Sequence, residues 1–219
     1  ETAPFMAQKR IGILGGSFNP VHNAHLRLAV EAAEQAGLDR VDLVPAAKPP
    51  HKQDSHLLPF SERCRHLELV LQGRPMFSLN TLEGRREGPS YTVETLREYR
   101  RSNPEDAIFF ILGADEFLHL PNWHRWELIP ELAHLVVASR EKESHEAIRT
   151  FIADWFPSAR NREREHPCWE LSGGGSLQVI EMPRLDISST LIRDRLHRDK
   201  SLAWLVPEVV ERELRKKGE

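Results

Sequence analysis

Short apolar runs of strand length alternate along the chain with longer stretches in which apolar residues recur every three or four positions. RIGIL, Arg10 to Leu14, reads as a buried strand stopped by Gly15-Gly16. HLRLAVEAAEQAG follows as a helix, with Leu26, Ala29, Val30 and Ala33 on one face and Gly37 as its stop. VDLVPA, from Val41, is a second strand, and AKPPHKQDSHLLPF a proline- and lysine-bearing loop. SERCRHLELVLQG reads as a second helix, with Ser61 as N-cap and Glu62 in the first turn. MFSLN is a third strand, and SYTVETLREYRR a third helix that the pattern caps at Thr92. AIFFIL is the most apolar strand and again ends in glycine, HLVVAS and LQVIEM are further strands, and LPNWHRWELI is a turn with a short helix. Glu141 to Phe156 has helical spacing. Pro157 to Ser176 is polar, arginine-rich and ends in Gly173-Gly174-Gly175, which predicts a surface excursion. SSTLIRDRLH and PEVVERELRKK close the chain as helices.

Strands alternating with helices build βαβ units, hence an α/β fold whose mostly parallel sheet is covered on both faces. Ligands of such sheets bind outside the carboxyl ends of the strands. The unusual residues stand at those ends: Gly15-Gly16 after the first strand, Lys48 to Lys52 after the second, Gly113 to Asp115 after AIFFIL.

Composition narrows the partners rather than the fold. The 219 residues carry a net charge of -3, with a sequence pI near 6.5. That balance speaks against a nucleic-acid partner and asks only for a local basic pocket. Cys64 and Cys168 form no CxxC pair, which fits a reducing, cytoplasmic setting. No apolar run has the length of a membrane span, and ETAPFMAQKR lacks the apolar core of a signal peptide, with Met6 a candidate start after residues 1–5.

The densest chemistry is GGSFNPVHNAH, Gly15 to His25. Two glycines let backbone N–H groups approach a ligand, and the helix starting near Asn23 or Ala24 offers its positive end to an anion. His22 and His25 can add ring N–H donors. Taken alone, the pair fits equally well a tight turn with incidental histidines. Metal ligation is a third reading, weakened by the absence of HExxH and of a Cys/His cluster. No P-loop and no GxGxxG is present. In DISSTLIRDRL, Ser188, Ser189 and Thr190 open a helix with Arg193 one turn later, a set suited to polyphosphate, although an ordinary cap with a solvated arginine is the commoner meaning of Ser-Ser-Thr taken alone. PSYTVETL places Tyr91 and Thr92 at a helix start. LGADEFLHLPNWHRW offers Asp115 at a strand end and Trp123 as a stacking face, against which stand a capped helix and a core tryptophan. KPPHK stiffens a loop bearing Lys48, His51 and Lys52, or is merely a solvated basic loop.

Together these motifs resemble the HxGH-type nucleotidylyltransferases, and in particular the nicotinate-nucleotide adenylyltransferases. GGSFNPVHNAH is similar to their GG(S/T)FDPxHxGH, departing at Asn19 and Ala24, and ISSTLIR and PSYTVETL are similar to two further motifs in the same order. The resemblance runs from about Arg10 to Leu214. It implies a Rossmann-like doubly wound sheet, one domain over 6–219 with a helical C-terminal part from about 184, and transfer of the adenylyl group of ATP to nicotinate mononucleotide. It further implies Mg2+ carried by substrate phosphates with no ligand from protein side chains. In that picture His22 and His25 meet the α- and β-phosphates. Arg193 with Ser188, Ser189 and Thr190 holds the β/γ-phosphates, Gly15, Gly16, Ser17 and Phe18 line the nucleotide, and Gly113 and Asp115 take the adenosine. Ser17, Lys48, His51, Lys52, Tyr91, Thr92, Trp123 and the His124 backbone surround the mononucleotide. Nicotinamide mononucleotide or phosphopantetheine as acceptor, a non-catalytic nucleotide binder, and a relative acting on RNA are the alternatives, and monomer against homo-oligomer stays open.

Overall fold

A computed structural model describes residues 8–50, 56–140, 142–162 and 167–216, so His51 and Lys52 lie outside the described residues. Eight strands form one sheet: β1 (Arg10–Gly16), β2 (Arg40–Pro45), β3 (Phe77–Leu79), β4 (Ala107–Gly113), β5 (His134–Ser139), β6 (Arg160–Asn161), β7 (Cys168–Glu170) and β8 (Ser176–Glu181). Their order is β3-β2-β1-β4-β5-β8-β7-β6. All pairs from β3 to β8 are parallel, and only β8-β7 and β7-β6 are antiparallel. The chain therefore winds from β1 to one edge and from β4 to the other, and the two directions part between β1 and β4.

The helices are α1 (Asn23–Gln35), α2 (Phe60–Leu71), α3 (Thr92–Ser102), α4 (Ala114–Leu118), α5 (Ile129–Leu132), α6 (Lys142–Trp155), α7 (Ser189–His197) and α8 (Glu208–Arg215). They split the core into two layers. Gly12 and Leu14 of β1 and Phe109 and Ile111 of β4 face α1, α2, α7 and α8, whereas Ile11, Ile13, Ile108, Phe110 and Leu112 face α3 to α6. Strands covered on both faces need apolar residues at every position, which is why RIGIL and AIFFIL show no alternation. Gly12 has a packing reason: a Cβ there would come within 2.7 Å of Leu38 Cδ1. Among the described residues no helix is long and apolar enough to cross a membrane.

Four sequence expectations are corrected. The α1 face on the sheet keeps the expected Ala29 and Ala33, with Leu26 packed half-buried against the same core, but Ala32 and the C-cap Ala36 complete it rather than Val30. The flank of α2 is Pro59 rather than Ser61, because proline's fixed φ already starts the helix at Phe60. Tyr91, not Thr92, is the residue before α3, and it supplies no side-chain cap. The described residues of the segment, 157–162 and 167–176, are more than a surface excursion: β6 and β7 extend the sheet, and Trp169 and Leu171 are buried. Local polarity hid this pairing, since β6 is exposed and β7 turns only Trp169 inward. Gly175 is required there, because a Cβ would stand 2.4 Å from the Pro130 carbonyl oxygen.

One buried side chain joins the loops above the sheet. Arg63 of α2 is 1% exposed. Its Nε donates to the Leu58 carbonyl at 2.9 Å, and its Nη1 donates to the carbonyls of Ser17 at 2.7 Å and Ala46 at 2.8 Å. The loops leaving β1 and β2 are thus tied to one guanidinium, which suits arginine's rigid fork of donors. Arg63→Met keeps the volume and strands three carbonyls. Urea unfolding should show a loss of about 3 kcal/mol or more at an unchanged m-value. A loss below about 1 kcal/mol would show that water replaces the guanidinium.

Candidate active site

At the carboxyl ends of β1 and β4 opens a cleft of about 540 Å³, large enough for a nucleotide-sized ligand. Gly15, Gly16, Ser17, His22, Ala24 and His25 line one side of it, Ser188, Ser189 and Thr190 another, and Ser90, Tyr91, Thr92, Trp123 and His124 a third. The strands place the glycines, and three helix starts, those of α1, α3 and α7, point at the same space.

His22 is the N-cap of α1 and His25 its third residue, and they cap reciprocally. The His25 backbone N–H donates to His22 Nδ1, and the His22 backbone N–H donates to His25 Nδ1 at 3.3 Å. This is a capping box built from imidazoles instead of Ser and Glu. With Nδ1 accepting in both rings, the proton of each neutral imidazole belongs on Nε2. The rings stack with centroids 3.6 Å apart, and His25 meets the buried Phe18 ring edge-on. Burial first, and the nearby Arg140 cation second, press the His22 pKa down to about 4. His22 is therefore a neutral hydrogen-bond donor at pH 7, and the stacked pair avoids two adjacent cations.

The two halves of the cleft are joined through Asn19-Pro20. Ser189 Oγ donates to the Pro20 carbonyl at 3.0 Å, and Arg193 Nη1 donates to the Asn19 carbonyl at 2.8 Å. Ser188 Oγ caps α7 by accepting from the Leu191 N–H at 3.1 Å, and Thr190 Oγ1 accepts from Arg193 Nη2. The ISSTLIR segment thus docks the start of α7 onto the loop that precedes α1. The Asn19 amide is buried and uses both arms: Nδ2 donates to the His56 carbonyl at 3.1 Å, and Oδ1 accepts from the Leu58 N–H at 3.0 Å. An aspartate could do only the second, so asparagine here matches a carbonyl neighbour.

On the opposite side, the Tyr91 ring stacks on His124 with centroids 4.1 Å apart, and Trp123 meets Phe110 edge-on. The Lys48 backbone N–H donates to Ser90 Oγ, and Ser90 N–H donates back to the Lys48 carbonyl, tying the β2 loop to the start of α3.

Most residues expected from the sequence line this one cleft. Four described ones do not: Phe18 is buried beneath Gly16, Asp115 is exposed in the first turn of α4, Lys48 contributes its backbone to the loop, and Arg193 sits behind the Asn19 carbonyl. Pro49 and Pro50 line the cleft beside Lys48, and Glu116 lines it beside Asp115. Arg140, just beyond β5, and Glu83, in the short turn Leu82–Arg85, line it without having been expected. A charged residue directly after HLVVAS was the signal for Arg140. Glu83 carried none, because its turn follows the sheet's edge strand.

Two outcomes follow. The folded His22 takes up its proton at a lower pH than the unfolded chain, so the unfolded state gains protons first and stability falls as pH drops from about 6.5 toward about 4. His22→Asn keeps a capping acceptor without that titration. Between pH 7 and pH 4.5 the wild type should lose about 2.5 kcal/mol more than this variant in urea unfolding; parallel losses would mean that His22 titrates normally. Asn19→Asp sets a carboxylate oxygen against the His56 carbonyl, and a thermal-unfolding scan should show a cost of about 1–3 kcal/mol at pH 7.

The chain matches the family described as cytidylyltransferase-like over residues 13–195. It is 39% identical over 213 residues to a probable nicotinate-nucleotide adenylyltransferase of Trichlorobacter lovleyi, covering 95% of this chain and 98% of that one. It is 37% identical over 204 residues to a protein of the same description from Bacillus pumilus, covering 93% and 94%. Among solved structures, the fold resembles nicotinic acid mononucleotide adenylyltransferase of Plasmodium falciparum complexed with NaAD, at TM-score 0.71 and 18% identity over 92% of each chain. With its paired histidines, its ISSTLIR helix start and these relatives over nearly its whole length, the chain belongs to the nicotinate-nucleotide adenylyltransferase family of cytidylyltransferase-like proteins.

Proposed function

We propose that the cleft joins the adenylyl group of ATP to nicotinate mononucleotide, giving deamido-NAD and pyrophosphate, a step of NAD biosynthesis. The convergence of the imidazole capping box and the α7 start on one space supports this reading most directly. The 5′-phosphate oxygen of the mononucleotide attacks the α-phosphorus of ATP, and the bond from that phosphorus to the bridging oxygen breaks as pyrophosphate leaves. No enzyme nucleophile is needed, so positioning and charge stabilisation supply the catalysis.

In this reading the Nε2–H groups of His22 and His25 donate to phosphate oxygens as charge builds on them. Arg140 adds a cation on the same side. The α7 start, with Ser188, Ser189 and Thr190, receives the β- and γ-phosphates, and Arg193 keeps that helix against the Asn19-Pro20 loop from behind. The adenosine lies toward Gly113, where Glu116 and Asp115 stand near its ribose. Trp123 and the Tyr91–His124 stack face the pyridine ring, and the α3 start at Thr92 favours a carboxylate over an uncharged carboxamide. Lys48 belongs to the loop beside the acceptor.

Among the described residues no cluster of three or more His, Cys, Asp or Glu forms a metal cage. In this reading Mg2+ would come in on triphosphate oxygens and water, where the ion would offset phosphate charge.

His25→Ala removes one donor while His22 still caps α1, so kcat should fall about a hundredfold or more with a fold retained by circular dichroism. Pyrophosphate release from ATP, measured with nicotinate and with nicotinamide mononucleotide, checks the acceptor. A preference for the amide would overturn the choice of substrate, and no release with either would favour a nucleotide-binding role.

A further inference from the structure

Glu83 is the least explained residue of the cleft. It lines the cavity next to the α3 start, yet its side chain is only 8% exposed. Its Oε1 accepts a hydrogen bond of 2.5 Å from Thr95 Oγ1, and that hydroxyl in turn accepts from Arg86 Nη2 at 2.9 Å. The arginine thus offsets the carboxylate's charge through the threonine, 3.8 Å from Oε1. Glu83 Oε2 is buried and has no hydrogen-bond partner among the described residues. Proteins rarely keep a buried acceptor unpaired, so this one calls for a partner from outside the described residues.

The chemistry of the ligand narrows the partner. Oε2 needs a donor. At neutral pH the acceptor proposed above has no donor on its ring carboxylate and little on its phosphate, so its ribose hydroxyls remain. ATP also carries ribose hydroxyls and an amine. However, Glu83 is bonded to Thr95 of α3, whose start carries Tyr91 and Thr92, whereas the triphosphate side is built by α1 and α7. An anionic Glu83 beside the pyridine substituent would repel a carboxylate, which also turns it toward the sugar.

We infer that Glu83 is a specificity residue whose Oε2 accepts a hydrogen bond from a ribose hydroxyl of the acceptor mononucleotide, so that the site selects ribonucleotides over deoxy forms. This rests on the acceptor reading given above.

The test compares wild type with Glu83→Gln, which keeps an oxygen for Thr95 and turns the second acceptor into a donor. Steady-state rates are taken with nicotinate mononucleotide and with its 2′-deoxy and 3′-deoxy forms. In the variant, kcat/KM for the ribonucleotide should fall about tenfold or more, carried by the KM of the acceptor, with the KM of ATP within about twofold. One deoxy form should lose the same factor on the wild type and almost none on the variant. Glu83→Asp, which withdraws the carboxylate by one methylene, should behave alike and serves if Glu83→Gln does not fold. Equal losses on all three nucleotides, or a matching rise in the KM of ATP, would reduce Glu83 to a structural prop of α3. An unchanged variant would overturn the inference alone. A shifted ratio of nicotinate to nicotinamide mononucleotide with no deoxy effect would place Glu83 at the ring and overturn it too. A wild type inactive on nicotinate mononucleotide would overturn the acceptor reading, and this inference with it.

Discussion

Everything at the site follows from the reversal of winding between β1 and β4. Neighbouring strands whose connections leave in opposite directions cannot be roofed by either crossover, so the sheet is left open above that pair. The residues that end these strands, Gly15-Gly16 and Gly113, form the floor of the opening. The starts of α1 and α3 are set around it by the chain's return to the sheet. The eight-stranded breadth of the sheet matters less for chemistry than this one gap. β6 and β7, at the far edge, extend the core without approaching it.

An opening made by topology still needs its rim held in register, and buried polar groups do this. Arg63 gathers the loops after β1 and β2, Asn19 holds the segment 56–58 by both arms of its amide, and Ser189 and Arg193 bring α7 onto the same loop. Each bond ends on a backbone carbonyl or N–H, so it fixes the path of the chain rather than the pose of a side chain. This wall of the cleft is therefore organised by its backbone, which suits a reaction that requires alignment more than reactive side chains. The departure of Asn19 from the related motif belongs to this internal framework.

The α/β plan was legible because strands buried on both faces leave apolar runs, and helices leave a three-to-four period. The clusters at Gly15 to His25, Tyr91-Thr92 and Ser188 to Thr190 were legible because turn-forming, capping and hydrogen-bonding residues crowd together at strand and helix ends. What the sequence hid depended on contacts between distant segments. Glu83 joins the cleft only through pairing of Thr95 with its turn, Arg140 only through the neighbouring position of β5, and the hairpin of β6 and β7 only through the edge it finds. At Arg193 the spacing after Ser189 suggested phosphate contact, and in this structure its Nη1 donates to the Asn19 carbonyl and its Nη2 to Thr190 Oγ1.

The reciprocal bonds between His22 and His25 have a consequence for how the protein can change. Two side chains suited to bind phosphate also complete the first turn of α1, so the site and the scaffold draw on the same pair of imidazoles, one through Nε2 and the other through Nδ1. A mutational path that discards the chemistry must at the same time re-cap a thirteen-residue helix. Descendants that abandon catalysis are then expected to keep at least one of the two histidines for architecture alone. A surviving histidine at this corner is, by itself, no certificate of activity.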